Sequence, residues 1–166
     1  MPNSGQFYQQ THSGDGYAGI AGFYQYGTNR REYLQGIFIS DLIANSCYFA
    51  QLFINSSNRN GYLHNGFGVY ISDTNITQTS VSTVLDFQPQ ITYQNIIIDS
   101  VNWVKMSGYY LAVGNENYIT IGNYLEDNEL VFDTIVNSFA YDGSYYYIDD
   151  VSIVLKLPSF AYSGED

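Results

Sequence analysis

Basic residues are scarce in this chain. Five Lys and Arg face 16 Asp and Glu, so the formal net charge is -11. From Glu116 onward, Lys156 is the single base. A surface with this charge repels a phosphate backbone, so the composition predicts no nucleic-acid partner. The same charge fits either plain solubility or calcium-rich surroundings, and solubility is the simpler interpretation.

Cysteine and long apolar segments are also lacking. Cys47 stands alone, so it cannot form a disulfide within the chain, and such a residue is most often a small buried apolar one. No run of about 18 apolar residues occurs, which predicts no membrane insertion. Residues 1–15 are polar and lack the charged and apolar regions of a secretory signal. Export would therefore need a signal outside this sequence.

The sequence contains no pattern typical of a catalytic or zinc site. Its two histidines, His12 and His64, both lie in polar, loop-like segments. There is no G-x-S-x-G segment, no zinc spacing of His and Cys, and no D-x-D-x-D-G calcium loop. The acidic run at residues 126–129 is interpreted as a solvated loop. The sequence predicts a protein that is not an enzyme.

Aromatic and turn-forming residues, in contrast, are abundant. The chain has 18 Tyr and 10 Phe, which prefer pleated, half-buried strands, and Asn-Gly and Asp-Gly pairs mark turns. In the segment 47–55, the side chains of Tyr48, Ala50, Leu52 and Ile54 fall on one face. Residues 1–166 are therefore predicted to form one all-β domain, a jelly-roll β-sandwich of about eight mostly antiparallel strands. The predicted strands are residues 16–26, 31–40, 47–55, 67–72, 91–98, 102–112, 118–124 and 145–155.

Three groups of residues carry a resemblance to a known family. They are HSGDGYAGI with REYLQ (12–20 and 31–35), VNWVKMSGYY (101–110), and YITIGNY with YYYIDDVSI (118–124 and 145–153). Their order and spacing resemble a module of large surface proteins of Bacteroidetes, of the gliding-motility and outer-membrane-associated type. The last strand is distantly similar to that of galactose-binding-like jelly rolls, which include many carbohydrate-binding modules. The resemblance implies a β-sandwich, an extracellular location at the cell surface and a non-catalytic role.

The two ends of the chain depart from the family pattern. Modules of this kind begin with an earlier strand that is missing here, so either the sequence is a fragment of a larger protein or another segment fills the place of that strand. The tail at residues 157–166 has Phe160 and Tyr162 in alternation. It is either a linker or a strand that enters the vacant position, in the same molecule or in a neighbour. An open sheet edge invites such pairing.

Asp149 is the carboxylate that the strand pattern singles out. By alternation it shares a face with Val151 and Ile153, and if that face is the core, the carboxylate needs a cation or hydrogen-bond donors. Asp150 is then expected to point outward.

The resemblance implies a structural calcium ion (Ca2+) beside this strand, held by Asp149 together with Ser13 and Asp15 of the loop at residues 13–16. The alternative is that Asp149 accepts hydrogen bonds from neighbouring backbone amides.

Loop aromatics are the candidates for ligand binding. Stacking on a sugar needs an accessible ring with polar neighbours, and Tyr62, Tyr24, Tyr26 and Tyr124 lie next to turns or at strand ends. Trp103 lies in an apolar run and is expected to pack mid-strand in the core.

Two functions remain open at this point. The first is adhesion, in which the module binds a glycan or another surface polymer through loop aromatics. The alternative is self-assembly, as a structural subunit of a surface filament, a fibre or a virion, through strand exchange or tyrosine-rich interfaces. A monomer in solution at micromolar concentration favours the first, and a polymer favours the second.

Overall fold

The computed structural model describes residues 9–135 and 141–157. Within these ranges the regular structure consists of strands and turns, with no helix, so none that could cross a membrane is found there. The prediction of an all-β protein is confirmed. The predicted tail beyond Leu157, with Phe160 and Tyr162, lies outside the described residues, as do residues 1–8.

The described residues form ten strands. They are β1 (Ala18–Tyr24), β2 (Tyr33–Ile37), β3 (Cys47–Ser56), β4 (Tyr62–His64), β5 (Phe67–Ser72), β6 (Ile91–Thr92), β7 (Val104–Leu111), β8 (Tyr118–Asn123), β9 (Phe132–Thr134) and β10 (Gly143–Leu155). Each of the eight predicted segments contains a strand. The predicted count of about eight is not confirmed, because β4 and β9 are too short to show an alternating pattern.

Eight of these strands form two antiparallel sheets. The front sheet has the order β1-β10-β3-β7, and the back sheet has the order β2-β8-β5-β6. β4 and β9 pair with each other as a separate two-stranded sheet. Consecutive strands often belong to different sheets, as β1 and β2 do, so the chain passes repeatedly from one sheet to the other.

The core lies between the front and back sheets. In β3 the alternating side chains predicted to share a face are all buried, namely Tyr48, Ala50, Leu52 and Ile54. The back sheet contributes Val69, Ile71, Ile119 and Ile121 to the same cluster. Since this layer buries the apolar side chains of both sheets, the outer faces carry the polar and aromatic groups that remain for function.

The last strand, β10, contains a β-bulge that reverses the expected orientation of Asp149. Ile148 faces the core, so Asp149 points to the outer face of the front sheet, and the pairing register with β3 shifts between Asp149 and Ser152. Asp150, inside the bulge, has a left-handed φ of 48°. Ile153 therefore faces the core although Asp149 does not, and the assumption of one continuous strand face is wrong.

Residues 9–17, here called the N-terminal strap, lie across the outer face of the front sheet. The indole Nε1 of Trp103 donates a hydrogen bond to the carbonyl of Gln10 at 3.0 Å. The ring of His12 stacks on Phe53 with the centroids 3.6 Å apart. Trp103 precedes β7 and is half-buried against this strap. The prediction that it packs mid-strand in the core is wrong.

Candidate ligand-binding site

An open cleft of about 450 Å3 lies where β5 and β6 meet the segments at residues 86–94 and 124–129. Its volume is within the range of small-molecule sites, about 300–1,000 Å3. The lining combines four aromatic rings with six polar side chains. The rings belong to Phe67, Phe87, Tyr93 and Tyr124, and the polar groups to Asn65, Asp86, Gln88, Thr92, Gln94 and Glu129. We call this space the aromatic cleft.

A glycine in β5 allows the floor of the aromatic cleft to form. A Cβ atom at Gly68 would lie 2.5 Å from Cγ of Pro89 and 3.2 Å from the ring of Tyr124. Only glycine leaves enough room for both groups to rest against the strand. The close approach brings the proline-containing segment and the end of β8 to the same place.

The segment that carries Phe87 is pinned to β5 by a glutamine. Nε2 of Gln90 donates to the carbonyl of Ile71 at 3.0 Å, and its Oε1 accepts the amide of Ile71 at 2.8 Å. The Gln90 side chain thus makes the two hydrogen bonds to Ile71 that a neighbouring strand would otherwise make. The amide of Tyr93 also donates to the carbonyl of Phe67 at 2.9 Å. These bonds hold Phe87 and Tyr93 on fixed supports.

The acidic wall of the aromatic cleft is fixed by a buried arginine. Arg31 is fully buried, and its guanidinium donates to Asp127 Oδ1 at 2.5 Å, to the carbonyl of Leu125 and to that of Asn29. A buried guanidinium needs such partners for its donors. The run at residues 126–129 is therefore an anchored turn rather than a freely solvated loop, and it holds Glu129 beside the cleft.

The ring of Tyr124 borders the aromatic cleft. Its hydroxyl donates to the carbonyl of Thr120 at 3.0 Å, and burial raises the pKa of Tyr124 well above its ordinary value. The hydroxyl stays protonated and occupied by this bond. Tyr124 is only 8% exposed and its ring packs against Tyr33, so it forms part of the cleft wall and is not the accessible ring that the sequence predicted.

The four predicted tyrosines lie in different surroundings. Tyr124 lines the aromatic cleft. Tyr24 and Tyr26 contact each other edge to face at 5.9 Å, and the guanidinium of Arg30 lies 4.8 Å above the ring of Tyr24. Tyr62 packs against Phe23 at 5.5 Å. Ligand binding at Tyr24, Tyr26 and Tyr62 stays a prediction.

The loop predicted to face Asp149 does so, but it presents amide groups. Oδ2 of Asp149 accepts the backbone N–H of His12 at 2.8 Å and that of Ser13 at 3.4 Å. Asp15 is exposed, and the residues that the structure describes contain no group of three or more His, Cys, Asp and Glu side chains suited to a metal. This geometry favours the hydrogen-bonding alternative, and calcium binding stays a prediction.

Asp150 binds the same loop through the side chains of His12 and Ser13. Its two carboxylate oxygens lie 2.6 Å from Oγ of Ser13 and 2.6 Å from Nδ1 of His12. The hydrogen bonds from Ser13 and then His12 lower the pKa of Asp150. The two successive carboxylates, Asp149 and Asp150, thus fasten the N-terminal strap to the bulge of β10.

The sequence interpretation missed Phe87, Tyr93 and the polar side chains around them. The segment DFQPQITYQN at residues 86–95 alternates rings with amides and contains Pro89. Gln94 and Asn95 interrupt the strand predicted at residues 91–98, and the strand that forms there, β6, has two residues. These polar interruptions were the available signal.

A scan against models of protein families finds none that matches this chain, and a search among curated proteins finds no match either.

Proposed function

We propose that this chain is a non-catalytic module of an extracellular surface protein and that it binds a glycan or another surface polymer in the aromatic cleft. The composition of the cleft lining carries the proposal. Rings such as Phe87 and Tyr93 stack on the C–H faces of a sugar, and amide or carboxylate groups such as Gln94 and Glu129 bind its hydroxyls. An open cleft also admits a polymer.

The order of the strands supports a jelly roll, which is the fold that the resemblance implies. If the eight strands of the two large sheets are counted in chain order, the front sheet is 1-8-3-6 and the back sheet is 2-7-4-5. Pairing of 1 with 8, 2 with 7, 3 with 6 and 4 with 5 is the nested order of two Greek keys. β4 and β9 are additions to this arrangement.

The contacts among Ser13, His12 and Asp150 support a role without catalysis. Ser13 and His12 both contact Asp150, so the aspartate lies between them. A catalytic serine instead contacts the histidine nitrogen that faces away from the aspartate. The arrangement fits a structural fastening of the N-terminal strap.

Binding to an array of neutral and charged glycans, followed by calorimetry on the hits, tests the proposal. We expect Tyr93→Ala to weaken binding about tenfold, because a lost aromatic contact of about 1.4 kcal/mol corresponds to that factor. Tyr109→Ala, which removes an exposed tyrosine of β7 outside the cleft, is the matched control and should leave the affinity unchanged. Equal loss in both variants, or binding that survives Tyr93→Ala in a folded protein, contradicts the assignment of the site.

Self-assembly is the second candidate function, and a separate apolar surface favours it. Ile37, Ile39 and Ile43 are each more than half exposed, and Val151 of the bulge is partly exposed. Ile37, Ile39 and Val151 border an open pocket of about 430 Å3 at the edge of the sandwich. Clustered exposed apolar side chains are typical of interaction surfaces.

Analytical ultracentrifugation at micromolar concentration tests this second function. If assembly uses the apolar surface, the chain sediments as an oligomer and Ile39→Asp converts it to a monomer. Val131→Asp, at an exposed apolar residue elsewhere, is the control and should not change the oligomer. A wild-type monomer rejects assembly through this surface.

A further inference from the structure

A second cleft shares Phe87 with the aromatic cleft. Its volume is about 370 Å3, and it is bordered by Tyr70, Asp73, Thr74 and Asn75. Phe87 also lines the aromatic cleft, and it is the one described residue common to the two linings. Both volumes exceed the lower bound of about 300 Å3 for small-molecule sites. The two spaces are therefore neighbours that meet at one residue.

Phe87 is exposed and yet fixed in position. Its side chain is 40% exposed. The ring stacks on Tyr70 with the centroids 4.7 Å apart and an interplanar angle of 27°, and its amide donates to the carbonyl of Leu85 at 2.8 Å. An exposed ring that is braced in this way presents a stable apolar platform. Such a platform between two polar spaces suits the alternating apolar and polar surfaces of a sugar chain.

Polar groups lie on both sides of this platform. In the second cleft, the hydroxyl of Thr74 donates to Asp73 Oδ1 at 2.6 Å, and that of Ser72 donates to the carbonyl of Thr74 at 2.9 Å. These bonds order the rim before any ligand arrives. Asp73 supplies a carboxylate to the second cleft, as Asp86 and Glu129 do to the aromatic cleft. No Lys or Arg is among the described residues that line either cleft. Together with the net charge of -11, these carboxylates disfavour an anionic ligand.

We propose that the two clefts are subsites of one groove that binds a neutral linear glycan of two or more sugar units, with Phe87 as the platform between them. This inference rests on the function proposed above and adds the length and the charge class of the ligand. A single sugar unit fills the aromatic cleft alone. A longer chain passes across Phe87 and reaches Asn75.

Calorimetry with neutral oligosaccharides of one to six units tests the groove. The probes are cello-, manno- and galacto-oligosaccharides, and oligogalacturonate serves as the anionic series. We expect the affinity to rise at least tenfold from one unit to the length that spans both clefts and then to level off. Oligogalacturonate should bind at least tenfold more weakly than a neutral chain of equal length.

Three variants separate the subsites. Asn75→Ala should weaken binding of long chains only, and Gln94→Ala should weaken binding of short and long chains alike. Phe87→Ala should remove the dependence on length. Tyr109→Ala, at an exposed ring of β7 outside both cleft linings, is the control and should change nothing, and a melting curve establishes that each variant is folded.

The outcomes distinguish this inference from the proposed function. If one sugar unit binds as tightly as six, or if Phe87→Ala leaves the dependence on length unchanged, the single groove is wrong and glycan binding in the aromatic cleft stands. If the anionic series binds as well as the neutral series, the charge class is wrong. If the wild type binds none of the oligosaccharides, the proposed function fails and the groove fails with it.

Discussion

Aromatic residues lie on the outer face of the front sheet and around the cleft beside the back sheet, and the two sets have different surroundings. On the front sheet, Tyr17, Trp103, Tyr147 and the ring of His12 contact one another in a chain, with centroids 5.0–6.2 Å apart. On the back sheet, Phe87, Tyr93 and Tyr124 border an open cleft of about 450 Å3. The residue types are nearly the same, so aromatic content alone does not locate a site.

The difference arises from the segments that cross each face. The N-terminal strap fills the space above the front sheet with its own rings, and Asp149 and Asp150 fasten it there. On the back sheet, the segment at residues 86–94 is held through Gln90, so the space beside Tyr93 stays open. A ring that is closed in by other rings stabilises the fold, whereas a ring beside amides, carboxylates and open space can meet a ligand.

The largest effect on stability is expected from removing a ring of the aromatic cluster on the front sheet. Tyr147 is buried beneath Tyr17, and Tyr147→Ala should lower the free energy of unfolding by about 3–5 kcal/mol, as for other large buried rings. Urea denaturation measures this loss. Tyr26→Ala, at an exposed ring, should change stability by less than about 0.5 kcal/mol. Similar losses in the two variants would remove the distinction between closed and open rings.

The second-largest effect on stability is expected from the buried, titratable ring of His64. His64 is fully buried, and it stacks on Phe67, a residue of the aromatic cleft, with the centroids 5.5 Å apart. Nδ1 of His64 lies against the carbonyl of Asn65 and so carries the proton, and Nε2 has no hydrogen-bond partner among the described residues. Burial lowers the pKa of His64 to about 4.

This shift predicts a dependence of stability on pH. The unfolded chain binds a proton at His64 near its ordinary pKa of about 6.5, so stability is complete above that pH and is lost as the pH falls toward 4. The loss should be about 3 kcal/mol, from about 2.5 pKa units at 1.36 kcal/mol each. His64→Asn keeps a donor near Nδ1 and does not titrate, so its denaturation midpoint should vary less over this pH range. Parallel pH profiles for the two proteins would reject the assignment.

The fastening of the N-terminal strap gives a smaller effect. Asp149→Asn weakens charge-assisted bonds to the amides of His12 and Ser13, which are worth about 1.5–3 kcal/mol. Thermal melts with and without a chelator separate the two interpretations of this carboxylate. If hydrogen bonds alone are present, the variant loses the same stability in both conditions. A melting temperature that falls on chelation only in the wild type would establish the predicted calcium ion, and Asp133→Asn, at an exposed carboxylate outside the predicted ligand set, is the control.

The sequence predicted the regular strands but not the bulge, the packing of Trp103 or the aromatic cleft, and each outcome has a physical reason. Alternation identified the buried face of β3 because the strand is regular there and the back sheet packs against that face. It misplaced Asp149 because the bulge at Asp150 shifts the register, and a left-handed aspartate leaves no signal in an alternating pattern. Trp103 is packed by a strap some 90 residues earlier in the chain, and such a contact depends on tertiary structure. The aromatic cleft was missed for the same reason, since it joins three separate segments.

The smallest effect on stability, and the sharpest test of the comparison, is expected at a polar side chain of the aromatic cleft. Gln88 is exposed and borders the cleft, so Gln88→Ala should change the free energy of unfolding by less than about 0.5 kcal/mol. If the side chain binds a sugar hydroxyl, its loss costs about 0.5–1.5 kcal/mol of binding, a factor of about 2–13 in affinity. Gln25→Ala, at an exposed glutamine outside the cleft lining, should affect neither quantity. Calorimetry and urea denaturation on the same samples separate the two effects. If Gln88→Ala changes the affinity but not the free energy of unfolding, the aromatic cleft serves binding. If it changes the free energy of unfolding but not the affinity, the cleft is closed in solution, as the space above the front sheet is.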